Sequence, residues 1–148
     1  MIENLLTEAL CKKIEEAVKE FRLPVQNGEM RAPKVINGYL PPKRSRADDD
    51  FPYVVVRAES GVCDRGESSV TVALLIGCYS KDDDGHEYCL NVMSRIRTAL
   101  MSLENETLDK KYILQLPIKW DLAPVQPVDQ WQLDMVTTWV NKTTQPIF

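Results

Sequence analysis

The 148-residue chain has a single histidine, His86, and four cysteines, Cys11, Cys63, Cys78 and Cys89, none of them in a CxxC pair. A structural zinc site needs closely spaced ligand pairs, so this spacing argues against one. A Ser–His or Cys–His nucleophile pair would depend on the one imidazole, which follows a glycine in a loop. No GxSxG, P-loop, GxGxxG or HExxH pattern occurs, and without any of them catalysis is not expected. No apolar run is long enough to cross a bilayer, and MIENLLTEALCKKIEEAVKEF carries acids where a signal peptide has a basic start and an unbroken apolar core. A cytoplasmic product is the expectation. An excess of basic charge is missing too: the formal charge is −4, whereas general affinity for nucleic acid is built on a basic face.

The length suits one domain over residues 1–148, burying roughly 70% of the unfolded chain's surface without metal or disulfide help. Its centre is VTVALLIGCYS, Val70 to Tyr79, whose dense β-branched and aliphatic content predicts an interior strand covered on both faces. After the acidic turn KDDDGH, residues Cys89, Val92, Met93, Ile96, Leu100 and Leu103 recur at three- and four-residue spacings, the stripe of a helix packed on a sheet. An earlier stripe, Ile2, Leu5, Leu6, Ala9, Leu10, Ile14, Val18 and Phe21, predicts an N-terminal helix that Pro24 ends. Its polar side mixes Glu with Lys, so packing explains it better than a membrane or calmodulin-type role. Cys11, Cys78 and Cys89 fall on these apolar surfaces and read as small buried hydrophobes in a reducing compartment.

Between these elements, Val35 to Leu40 is a short edge-strand candidate and Pro52 to Glu59 a strand antiparallel to the central one. The segment PPKRSRADDDFP joins them, a flexible loop over about residues 41–51 with two prolines, basic residues and three consecutive acids. It reads either as a solvated hairpin tip or as a contact loop that orders on a partner. On the second reading Lys43, Arg44, Arg46, Asp48, Asp49 and Asp50 are the candidate subunit or partner contacts. SGVCDRGESS is read as a second polar connection. The acids at Asp82 to Asp84 mimic a calcium loop only loosely. With Gly85 at the loop glycine, Ser80 takes the first ligand position and Asn91 the place of the bidentate Glu. A cap on the next helix, from Asp84 or a neighbour, is the better account. The two acidic triplets make no carboxylate site, because consecutive acids point in different directions.

Toward the end, Tyr112, Leu114, Leu116, Ile118, Trp120 and Leu122 alternate with Ile113, Gln115, Pro117, Lys119 and Asp121, a strand buried on one face with a bulge or edge position at Pro117. Trp131 to Val140 pairs with it as a hairpin, and residues 142–148 form a loose tail. The expected class is α+β: a mainly antiparallel sheet of about five strands, with an N-terminal and a central amphipathic helix packed on it.

The element order, and in particular VTVALLIGCYSKDDDGHEYCLNVMSRIRTAL followed by QPVDQWQLDMVTTWV, resembles the small tail-terminator and tail-completion proteins of long-tailed bacteriophages and their prophages. The likeness runs from about Ile2 to Val140 and lies in element order and residue character, not in an invariant motif. It implies an α+β virion structural protein without enzymatic activity or cofactor. Such a protein forms an oligomeric ring, typically a hexamer, that caps the tail tube, ends its polymerisation and joins it to the head. The implied partners are its own copies, the tail tube protein and the head–tail connector, with no membrane, and DNA passing through the ring without specific binding. The implied location is the host bacterial cytoplasm during assembly and then the virion tail. A head–tail joining (neck) protein or a non-ring adaptor is the alternative, and a small enzyme with an unrecognised site the third. No residue carries over as a family-wide functional position, so the contact residues above rest on exposure and charge.

Overall fold

Stiff β-branched runs and two amphipathic stripes set this architecture, which the computed structural model describes for residues 3–25, 28–40, 50–124 and 126–141. In chain order the elements are α1 (Glu3–Val18), β1 (Leu23–Pro24), β2 (Met30–Arg31), β3 (Lys34–Asn37), β4 (Tyr53–Asp64), β5 (Glu67–Tyr79), α2 (Gly85–Met101), a 3-10 turn (Glu104–Glu106), β6 (Thr107–Leu108), β7 (Tyr112–Leu122) and β8 (Gln130–Asn141). β1 and β2 form a minimal hairpin, and the other six strands form one sheet in the order β3-β4-β5-β8-β7-β6. Only the β3–β4 pair is parallel. The class is α+β as expected, with six strands in the main sheet instead of about five. The extra one, β6, has two residues, too few to leave a periodic signal.

β5 lies inside the sheet, paired with β4 on one side and β8 on the other. Val70, Val72, Leu74, Ile76 and Cys78 face the helices, while Ala73, Gly77 and Tyr79 are buried on the opposite face. Coverage on both faces explains its unbroken apolar run. Both helices pack on the same face of the sheet and touch each other. α1 buries Leu6, Leu10, Cys11, Ile14 and Val18, and α2 buries Cys89, Val92, Met93, Ile96 and Leu100. Each fully buried Leu or Ile contributes about 1.5–3 kcal/mol. Leu5, expected on the α1 stripe, is 45% exposed, so that stripe is narrower than the spacing suggested. Thr137 sits in this core at zero exposure with its hydroxyl satisfied: it donates to the Val72 carbonyl at 3.0 Å and accepts the Trp139 indole N–H at 2.8 Å. That pairing removes the cost of burying a hydroxyl.

Three local expectations need correction. The stretch Ser60–Ser69 is not a loose connection; β4 and β5 run on through it, paired as far as Asp64 opposite Glu67. Asp84 precedes α2 but makes no side-chain cap; its carboxylate accepts from the Ser80 hydroxyl at 3.1 Å, and only its carbonyl accepts the Glu87 N–H, at 2.9 Å. On β7, Tyr112 and Leu114 are buried as the alternation demands, but the register shifts between Gln115 and Lys119, around Pro117. Leu116 within the shifted stretch is 50% and Trp120 after it 43% exposed, although Ile118 and Leu122 still pack against the helix-side core.

Candidate interaction surface

The helices pack on one sheet face only; the other is covered in part by its own side chains, and alternation along each strand decides what it displays. Register makes three rows. Tyr53, Gly77 and Gln132 form the first, Val55, Leu75, Asp134 and Asp121 the second, and Arg57, Ala73, Val136 and Lys119 the third. At the β3 end this face carries its own small apolar cluster of Phe51, Tyr53, Val55 and Tyr79, joined by Ile36, Leu40 and Leu75. Elsewhere it is polar and open. Arg57 is turned to the sheet's edge, where its Nε donates to the Gly38 carbonyl at 2.9 Å and its guanidinium lies 4.0 Å from the Tyr39 ring centre. Asp134 faces Asp121 directly across β8 and β7. Partial burial, followed by the charges of Glu59 and Asp121, raises the Asp134 pKa, and Arg57 opposes the rise.

Where β7 bulges, the open face has a hollow of about 230 Å³ lined by Thr71, Gln115, Leu116, Pro117, Lys119, Val136 and Thr138. The bulge makes it, because residues 116–118 have no partner on β8. A longer groove of about 510 Å³ follows α1, with Leu5, Ala9 and Leu108 among side chains of both signs, including Lys12, Lys13, Glu8 and Glu16.

The feature that sequence reasoning missed is an arm. β4 and β5 extend beyond the row Ser69–Val140, where β5 stops pairing with β8, and close through Arg65 and Gly66. Gly66 has φ +82°, a backbone state that side-chain-bearing residues rarely adopt. Residues 58–67 are exposed, Val62 among the most at 66%. A register shift between Ala58 and Ser60 leaves Glu59 without a cross-strand partner at the base of the arm. Two turn-bounded strands were legible in β-branched residues; the polar Ser, Glu and Gly content hid their continuation. The one available signal was Gly66 preceded by Asp64 and Arg65, the chemistry of a tight turn.

Of the expected contact residues, Lys43, Arg44, Arg46, Asp48 and Asp49 lie outside the described residues, as does the 142–148 tail. Asp50 is described, and at 7% exposure it is buried beside Phe51 instead of sitting in an exposed loop. Phe51, also inside the expected 41–51 loop, is buried as well, anchored in the apolar cluster at the start of β4. Among the described residues no group of three or more His, Cys, Asp or Glu side chains is placed to hold a metal ion. No described helix is long and apolar enough to cross a membrane. Cys11, Cys78 and Cys89 are buried and Cys63 lies exposed on the arm. His86 packs beside Trp131 with ring centres 5.8 Å apart, and its Nδ1 lies 3.1 Å from the Asp83 carbonyl.

A scan against models of known protein families finds no match, and a search of curated proteins finds no significant relative.

Proposed function

We propose that this chain is a structural subunit of a long-tailed phage or prophage tail, a ring protein that caps the tail tube, stops its polymerisation and offers the head a joining surface. The resemblance in element order supplies the biology. The single structural observation in its favour is the exposed β4–β5 arm on a subunit with a partly open sheet face, since a ring joins one patch of each subunit to a different patch of the next and these are two such patches. The net charge of −4 fits a passage that DNA slides through, since basic surfaces hold DNA through counterion release. Lys43, Arg44, Arg46, Asp48 and Asp49 serve in this reading as tuning contacts. Exposed ion pairs contribute about 0–1 kcal/mol each and weaken with salt.

Deleting the gene in an inducible prophage and imaging the particles tests this reading. Overlong, irregular tails are expected. Tails of normal length that fail to attach to heads would identify a joining protein instead, and infectious particles of normal form would remove both roles.

A further inference from the structure

We infer that the β4–β5 arm of one copy lies over the β7 hollow of a second copy, with Val62 as its apolar anchor and Lys119 opposite its acidic tip. The inference rests on the subunit reading for its partner, another copy of this chain, and adds a two-fold contact between copies that is separate from the contact closing a ring.

Register places the contacting groups. Val62 is opposite Ser69, Ser69 opposite Val140, and Asp64 opposite Glu67, so Val62, Asp64 and Glu67 all point from the open face. The arm therefore has one apolar side chain, 66% exposed, followed by two acids directly across from one another. Like charges in that relation destabilise a strand pair unless a cation joins them. Among the described residues neither acid forms an ion pair. The hollow supplies the complement on the same face: Leu116 and Val136, 50% and 36% exposed, with Pro117 as walls and Lys119 at the rim, itself unpaired among the described residues. About 230 Å³ readily admits a valine side chain.

Sterics exclude the contact within one molecule, since Val62 points away from its own sheet on the same side toward which the hollow opens. A second copy laid open face to open face brings knob and hole together. The β7 edge beyond Ile113 has no backbone partner among the described residues. A bulge, a proline and a lysine on that edge guard it against unwanted strand pairing. The exposed Leu116 is what edge protection leaves unexplained.

The test is sedimentation of the full-length chain over a concentration series, combined with cross-linking of Val62→Cys with Leu116→Cys in a Cys63→Ser background. Expected are oxidised dimers that need both cysteines, and a rise of about ten-fold or more in the concentration for half-dimerisation for Val62→Asp, the scale of a lost hot spot. Lys119→Glu should weaken assembly and Asp64→Lys should restore it, while circular dichroism and melting of each variant stay unchanged because the sites are exposed. Wild-type oligomers with variants that assemble equally well and do not cross-link would overturn the arm contact and leave the ring. Cross-linked ladders that run beyond dimers would overturn the face-to-face pairing. A wild-type chain that stays monomeric without cross-links would overturn both.

Discussion

Tyr53 lies across Gly77, its cross-strand neighbour, so closely that a methyl group on Gly77 would overlap the phenol ring. The hydroxyl reaches over β5 to β8, where the Gln132 side-chain amide donates to it at 3.3 Å. Glycine at that position lets one aromatic side chain bridge three strands. Gly77→Ala should cost about 1–3 kcal/mol by overpacking. Tyr53→Phe keeps the ring and loses a bond worth about 1 kcal/mol or less. Urea denaturation of both variants measures the difference, and the larger loss belongs to Gly77→Ala.

Leu74 on β5 and Ile96 on α2 are buried in one core between sheet and helix. Leu74→Asp or Ile96→Asp places an unpaired charge there and should cost about 4 kcal/mol or more, because carboxylate desolvation adds to the lost packing. Thermal melts read this directly; soluble variants with an unchanged midpoint would contradict the packing.

Asp134 gives a pH dependence of definite sign. Its folded-state pKa is raised by partial burial, by Glu59 and by Asp121, so the folded chain binds its proton more readily than the unfolded chain does. Stability from this group is present below the unfolded carboxylate pKa and is lost as pH rises through the raised folded value. Asp134→Asn should therefore be more stable than wild type at neutral pH, with the advantage shrinking as pH falls into the carboxylate range. Denaturation midpoints across that range check it.

The four cysteines should separate into one fast and three slow thiols. Cys63 is exposed on the arm, whereas Cys11, Cys78 and Cys89 are buried. Burial, then Glu15 and Glu8, pushes the Cys11 thiol up to about 11, and a hydrogen bond with Cys89 together with burial raises Cys78. Because the thiolate is the reactive form, mass spectrometry during alkylation at pH 8 should find one label added quickly and the rest only on unfolding. Cys63→Ser should abolish the fast label.

What the sequence by itself determined is whatever depends on local periodicity. The run Val70–Tyr79 reads as interior because no solvated strand would hold so many β-branched and aliphatic residues, and the α2 stripe of Cys89, Val92, Met93, Ile96 and Leu100 reads as buried because 3.6-residue spacing puts those side chains on one line. Tertiary structure alone decided which residues remain exposed. Leu116 and Trp120 carry the same alternation as Tyr112 and Leu114, yet they stand half-exposed, in and just after a bulge that the spacing does not announce. Val62 and Asp64 sit in a polar stretch that became an ordered arm through backbone pairing with Ser69 and Glu67, and backbone hydrogen bonds leave little mark on side-chain pattern. Asp50 reads as the last charge of an exposed run, but Phe51 beside it is anchored in the cluster with Tyr53, Val55 and Tyr79, and that anchor carries the carboxylate inward. Side-chain period is a property of neighbours in the chain, whereas exposure is a property of neighbours in space, and the hollow and the arm belong to the second kind.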